Sequence, residues 1–310
     1  MEYVRCNYCE QDDSDLVNEG PDLLLNRPGH YRLVRCRNCG LIYQNPQPTR
    51  EELPNLYPDE YEPFQRGIVG EQASAMERFH RRHEMERRYK RIRRHLPQPG
   101  RLLEVGSSTG LFLATMREQG WQVTGVELSG YAAEFTRQTY GIEVMTGTLE
   151  ETHFPDDAFD LVALWDVFEH VLDPKATLAE IARILRPGGL FVASLPNPTG
   201  FEAKWFGSDW LGWDRPRHLH IFTPQVMENY LRDAGFGLTS VESFNGRLGV
   251  TLMSLEFRAK AQQVPEAVWQ RRSQWLYTLP LRLATLPIYK LAEAFNKTSI
   301  MTIFAHLRAD

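Results

Sequence analysis

Residues 101–127 read RLLEVGSSTGLFLATMREQGWQVTGVE. The first five are a short apolar run of strand type, GSSTG is a turn, and LFLATMREQG carries apolar residues at helical spacing. WQVTGVE is a second strand, ending in Glu127. Gly106 and Gly110 let the backbone approach a ligand closely where the first strand ends, with helix N–H groups facing the same point. An acidic side chain ~20 residues further on, at the end of the second strand, can accept hydrogen bonds from both hydroxyls of a ribose. Ser108 and Leu111 stand where a nicotinamide fingerprint requires glycine, so this is a nucleotide-type turn of a different kind.

The same alternation continues outward. IEVM (142–145), FDLVALW (159–165) and GLFVASLP (189–196) are further strand-like runs. Between them lie the amphipathic stretches SGYAAEFTRQTYG (129–141) and PKATLAEIARILRPGG (174–189). Strands alternating with helices predict an α/β, doubly wound, mostly parallel sheet covered on both faces. Gly147-Thr148-Leu149-Glu150 follows the third strand, and Asp166-Val167-Phe168-Glu169-His170-Val171 follows the fourth. Four strand ends thus carry turn-forming or polar residues on the edge where such sheets bind ligands.

All four cysteines fall in the first forty residues as Cys6-x-x-Cys9 and Cys36-x-x-Cys39. Each pair aims two sulfurs at one point, and together they supply the four-sulfur set that Zn2+ prefers, with no coordination position left open for chemistry. Gly40 suits the left-handed backbone of such a knuckle. A redox pair or disulfides are the competing readings, and the duplicated motif favours a structural metal.

With these residues in view, the chain resembles class I S-adenosylmethionine-dependent methyltransferases. LEVGSSTG, GVELS and FEHVLDP match the family's first turn, second strand end and "EHV-x-DP" segment, and ILRPGGLFVASLPN is similar to its turn into the fifth strand. The resemblance covers roughly residues 85 to 245. YRLVRCRNCGLIYQNPQPTREEL (31–53) also resembles the zinc segment of a branch that includes sugar methyltransferases. The resemblance implies a seven-stranded Rossmann-like sheet with a small zinc-binding module before it. It further implies that the turn from Gly106 through Ser107 to Gly110 cradles the methionine part of the cofactor, with Glu104 near its ammonium. Glu127, followed by Leu128, would hold the ribose, Thr148 and Leu149 would border the adenine, and Asp166 and Val167 would line the sulfonium side.

The expected partition is a zinc module and connector over 1–63, a basic helical linker over 64–97 and the methyltransferase domain over 98–310, with a helical insertion near 250–297. Residues 71–96 carry nine Arg or Lys against four Glu. They are expected to form a solvated helix, or, in a sharper reading, a phosphate-binding surface. The 27 residues from Pro196 to Phe222 are long for a loop and hold Trp205, Phe206, Trp210 and Trp213, aromatics suited either to a lid or to packing on the body. His218 and His220 are the candidate bases, since imidazole can take a proton near neutral pH; His170 is a third possibility or a supporting hydrogen-bond partner.

Composition sets limits. An apolar fraction of 42% and a charged fraction of 24% are those of a soluble globular protein. A net charge of -5 provides no global attraction for nucleic acid or for anionic membranes. The start lacks a secretory pattern and no apolar run reaches the ~18–20 residues of a spanning helix, so a soluble, cytoplasmic protein is expected. Residues 270–295 have apolar positions at helical spacing, suited to core or dimer packing or to peripheral membrane contact. The leading expectation is methyl transfer to a sugar or related small metabolite, nucleotide- or lipid-linked, using S-adenosylmethionine and structural Zn2+. An RNA methyltransferase and a non-catalytic cofactor-binding protein are the rivals.

Overall fold

Residues 1–57, 75–244, 247–276 and 279–309 are described by the computed structural model of the chain. Three short strands come first: β1 (Ser14–Gly20), β2 (Tyr31–Cys36) and β3 (Ile42–Gln44). Helix α1 (Ala75–His95) follows, so the expected boundary between residues 63 and 64, and residues 71–74 of the basic segment, lie outside the described residues. The alternating core then runs β4 (Arg101–Val105), α2 (Leu111–Glu118), β5 (Gln122–Glu127), α3 (Gly130–Tyr140), β6 (Val144–Thr146), β7 (Phe159–Trp165), α4 (Pro174–Ile184) and β8 (Leu185–Pro196). After it come α5 (Phe201–Phe206), β9 (His220–Ile221), α6 (Pro224–Asp233) and β10 (Phe236–Glu242). Helices α7 (Arg247–Ala261), α8 (Glu266–Leu276) and α9 (Leu279–Ala294) lie between β10 and the last strand, β11 (Ile300–Leu307).

Seven strands form one sheet in the order β10-β11-β8-β7-β4-β5-β6. β11 runs antiparallel to β10 and β8, and the pairs β8–β7, β7–β4, β4–β5 and β5–β6 are parallel. All seven residues of β7 are buried, as expected of a central strand covered on both faces. Its side chains alternate: Val162 and Leu164 join the cluster holding Leu178, Ile181 and Ile184 of α4, whereas Leu161, Ala163 and Trp165 join Met85 and Ile92 of α1 and Phe112 and Met116 of α2. Each fully buried aliphatic side chain contributes about 1.5–3 kcal/mol, so the two faces set the strand's register.

Local sequence starts three of the helices. The Ser129, Asp173 and Thr223 side chains accept the backbone N–H of Ala132, Ala176 and Val226, and Pro174 and Pro224 sit just inside the start of α4 and α6. Each such cap is worth ~1 kcal/mol. The strand order reverses between β4 and β7, which leaves a crevice beyond their carboxyl ends.

A second, antiparallel sheet has the order β1-β2-β3-β9. Ile42 and Tyr43 of β3 pair with Ile221 and His220 of β9, so a strand from the 196–222 segment completes the N-terminal sheet. Cys6, Val34, Cys36, Leu41 and Tyr43 belong to the same core cluster as Leu103 of β4 and Tyr230 of α6. The 196–222 segment is correspondingly built rather than looped. Phe206, Trp210 and Trp213 are buried and Trp205 is exposed; Phe206 and Trp213 pack into the body, and Trp210 also lines the cleft. The Trp210 and Trp213 indole N–H groups donate to Ser299 Oγ and the Gly207 carbonyl.

Arg217 ties these parts together. It is completely buried, and its guanidinium donates two hydrogen bonds to Asp22 at 2.7 and 2.9 Å and two to Asp214 at 2.6 and 2.9 Å. Removing one partner of a buried ion group leaves uncompensated charge and costs about 3–5 kcal/mol. Arg217→Ala should lower the unfolding free energy by about that amount in urea titrations; a loss under ~1 kcal/mol would show that the aspartates are accommodated without it.

Candidate functional site

A cleft of about 1170 Å³ opens at the carboxyl ends of β4, β5, β6 and β7. Its nucleotide-type half begins at the turn after β4. Gly106 has φ 71 and Gly110 φ 74. A Cβ at Gly106 would stand 2.4 Å from a Val167 methyl, and one at Gly110 2.3 Å from a Thr136 methyl. Conformation and space therefore both demand glycine.

Glu127, at the end of β5, is buried, and its two oxygens accept the backbone N–H groups of Ser108 at 2.7 Å and Ser129 at 2.9 Å. Burial raises its pKa, and these backbone bonds oppose the rise. The carboxylate is thereby fixed, with lone pairs remaining for a ligand. Glu104 on β4 is buried as well: its Oε2 has no hydrogen-bond partner among the described residues, and burial pushes its pKa well above the usual range against the opposing charge of Arg88. Asp166 has φ 57 and accepts a hydrogen bond from Ser194 Oγ at 2.9 Å. Thr148 N–H donates to Glu151 Oε2 at 2.9 Å, which fixes the turn that presents Leu149.

Of the residues singled out in the sequence, Gly106, Glu127, Leu128, Thr148, Leu149, Asp166 and Val167 line the cleft. Glu104, Ser107 and Gly110 stand behind that lining. Arg88 was missed. Its guanidinium lies 4.3 Å from the Trp165 ring and 4.0 Å from Asp166 Oδ2, at the cleft wall, and its Nε has no partner among the described residues. The phase of α1 carried the signal: Met85, Tyr89, Ile92 and Leu96 form an apolar stripe packed on the sheet, and residue 88 borders it.

The other half of the cleft is lined by Tyr57, Glu169, His170, Trp210, Asp214 and His218, among others. His170 Nδ1 lies 2.8 Å from the Arg217 carbonyl and 2.9 Å from the Tyr57 hydroxyl; His218 Nδ1 lies 2.9 Å from the Gly212 carbonyl. A carbonyl can only accept, so both rings carry their proton on Nδ1 and keep the Nε2 lone pair. The rings meet edge to face at 4.7 Å, and His218 Nε2 is 3.9 Å from Glu169 Oε1. Burial lowers the pKa of both imidazoles, His170 to about 3, and raises that of Glu169 well above the usual range. Glu169 Oε2 lacks a partner among the described residues. Ligand atoms of Glu169, His170 and His218 all lie within 4.8 Å of one another, a spacing that could hold a cation.

His220 is a different matter, and the expectation that it serves as a base is corrected. It is buried in β9, off the cleft lining, with Nδ1 3.2 Å from the Val171 carbonyl and Nε2 3.3 Å from Gln47 Nε2. The chain turns between Asp214 and His218, where the His218 N–H donates to the Asp214 carbonyl, and only then enters the strand. The two histidines therefore face different surroundings.

The cysteine sulfurs come together as well. Cys6 and Cys39 Sγ are 3.4 Å apart, Cys9 and Cys36 Sγ 3.5 Å, and all four lie within 4.8 Å. A tetrahedron with arms of ~2.3 Å has edges of ~3.8 Å, so the set fits a zinc ion. Both knuckles close alike: Glu10 N–H donates to the Cys6 carbonyl and Gly40 N–H to that of Cys36, with φ 62 at Glu10 and φ 80 at Gly40. The glycine was legible in the sequence, and its counterpart Glu10 was not. Asn7, inside the first knuckle, donates to Asp173 on the cleft lining at 2.9 Å.

Residues 76–241 match the family described as "Methyltransferase domain". A ubiquinone biosynthesis O-methyltransferase of Maricaulis maris is 32% identical over 151 residues, 44% of this chain and 59% of that protein. A malonyl-[acyl-carrier protein] O-methyltransferase of Serratia marcescens is 32% identical over 128 residues, 41% of this chain and 49% of that protein. The matched stretch thus spans only about half the length of these relatives. A putative sarcosine dimethylglycine methyltransferase from Galdieria sulphuraria shares the fold, with a TM-score of 0.51 and 13% identity over 73% of this chain and 86% of that one. The family match, together with the sheet order and the cleft, makes this chain a member of the class I S-adenosylmethionine-dependent methyltransferase family.

One pH dependence follows from His220. Burial lowers its pKa from 6.5 to about 4, so the unfolded chain takes up this proton first. Its contribution to stability is complete above pH 6.5 and is lost as pH falls toward 4. Urea midpoints measured across that window should fall less steeply for His220→Gln than for the unaltered chain. Parallel slopes would remove His220 as a cause.

Proposed function

We propose that this chain transfers the methyl group of S-adenosylmethionine to a small hydroxyl-bearing acceptor, a sugar or related metabolite, with a structural zinc ion held by Cys6, Cys9, Cys36 and Cys39. The observation that carries the reading is the Glu127 carboxylate, pinned by two backbone N–H groups at the end of β5 beside the Gly106 turn. A fixed acceptor there suits the two ribose hydroxyls. Thr148 and Leu149 border the adenine side. The unpartnered Glu104 Oε2 and the carboxylate of Asp166 suit an ammonium, and the Arg88 guanidinium, with its free Nε, suits the amino-acid carboxylate.

The cofactor supplies a sulfonium-bound methyl group open to in-line attack. The chain's own part is to orient the acceptor and take its proton, since much of such a rate comes from alignment. His218 lines the cleft with its Nε2 lone pair free of a proton, and Glu169 Oε1, 3.9 Å from that nitrogen, would in its ionised form stabilise the ring once it is protonated. Trp210 provides an apolar wall and Tyr57, Asp214 and His170 a polar one, a combination suited to a hydroxylated ring. Three cations of α1 are engaged with the rest of the protein, Arg87 with Glu293, Arg91 with Glu242 and Arg88 with Asp166, whereas Arg82, Lys90, Arg93 and Arg94 are exposed.

Calorimetric titration with S-adenosylmethionine should give micromolar binding that Glu127→Ala weakens roughly 10-fold or more, given hydrogen bonds to a charged group worth ~1.5–3 kcal/mol each. Equal affinity in the variant would overturn the site. In a screen of sugar and sugar-nucleotide acceptors, followed by release of S-adenosylhomocysteine, His218→Gln should lose roughly 10²-fold in turnover while keeping cofactor affinity. Full turnover would remove His218 from the mechanism. Elemental analysis should find one zinc per chain, lost in Cys36→Ser together with several degrees of thermal stability; metal-free unaltered protein of normal stability would refute the zinc assignment.

A further inference from the structure

We propose that the inserted helices α8 and α9 form a docking surface for an anionic lipid bilayer beside the cleft. Tyr289 and Ala292 turn the inner side of α9 into the protein, where Tyr289 meets Phe201 at 6.0 Å between ring centres. The outer side is apolar as well. Leu283, Leu286, Ile288, Leu291 and Phe295 are all exposed, Phe295 to 68%. Leu283, Leu291 and Phe295 fall on one face at multiples of four, with Leu286 and Ile288 flanking it. Scattered exposed apolar side chains are normal, but a continuous row of them along a helix marks an interaction surface.

The local charge says which surface. From Ala267 to Ala292 the sequence contains four basic residues, Arg271, Arg272, Arg282 and Lys290, and no acidic one, in a chain whose net charge is -5. Arg271, Arg272 and Lys290 are exposed. Glu293, at the end of this stretch, is covered by Arg87 at 3.4 Å and Lys290 at 3.3 Å. An apolar helical face in a stretch that carries exposed Arg271 and Arg272, and whose one nearby carboxylate is already paired, has the composition of a helix lying in the headgroup region of an anionic membrane. A second copy of the chain fits it poorly, because a two-fold contact would set these cations against their own copies. No helix among the described residues is long and apolar enough to cross a membrane, which agrees with a helix lying on the surface.

The insertion also borders the cleft. Val250 and Met253 of α7 line it, so a bilayer against α9 would bring lipid-borne acceptors to the side of the cleft where His218 and Trp210 stand.

The test is flotation of the full chain with vesicles of mixed phosphatidylglycerol and phosphatidylcholine, against phosphatidylcholine alone. The chain should float with the mixed vesicles at low salt and less so as salt rises. The double variant Leu283→Glu/Leu291→Glu should lose roughly 10-fold or more of the bound fraction. Its circular dichroism and S-adenosylmethionine titration should match those of the unaltered chain, which separates loss of docking from loss of folding or of the cofactor site. Protein that stays at the bottom of the gradient with the anionic vesicles overturns the proposal, as does equal flotation of the double variant. Light scattering that shows a dimer, converted to monomer by the same variant and without flotation, would also overturn it and assign the face to a second copy.

Discussion

Arg217 carries a full charge where no water reaches it, and two aspartates, one three residues away and one far distant in sequence, hold it there. Asp22 arrives from the turn after β1, 195 residues away in sequence, and Asp214 from the segment after α5. Because a buried guanidinium must have its partners in good geometry, the position of the N-terminal sheet and that of the acceptor side of the cleft are fixed by one constraint. The Arg217 carbonyl in turn accepts the Nδ1 proton of His170, and His170 packs on His218. The orientation of the His170 imidazole is thus set by the Arg217 carbonyl, and that of His218 by the Gly212 carbonyl beside it.

The cleft also contains polar atoms left without partners. Glu104 Oε2, Glu169 Oε2 and Arg88 Nε are buried and unbonded within the described residues. Burying such atoms without a hydrogen bond is costly, so the packing around them holds them against their own preference. Glu104 and Arg88 belong to the cofactor half and Glu169 to the acceptor half. The stability given up there is what a ligand of matching charge would restore.

Much of this was legible in the sequence. β7 reads as seven buried residues because FDLVALW is apolar throughout, and the turn glycines read correctly because only glycine tolerates φ 71 against the Val167 side chain. Paired cysteines two apart can do little but converge. What stayed hidden depends on contacts between residues distant in sequence. Nothing near His220 announces that its two-residue strand pairs with β3, so its spacing from His218 suggested a shared role that the fold does not give it. Arg88 looked like one cation among nine until α1 was laid on the sheet. Trp210 and Trp213 could have covered a ligand as readily as they fill the core, since indole serves both uses and only the neighbours decide.

The pairing of β3 with β9 has a consequence for how this chain could be cut or recombined. A gene divided after the cysteine segment would yield a catalytic piece lacking the strand that covers Ile221, and a small piece whose sheet lacks its fourth strand. Neither fragment is a closed unit, although the sequence invites exactly that division. Heredity can therefore shuffle the cysteine segment only together with the distant stretch that supplies β9, which makes these two regions one inherited part written in two places.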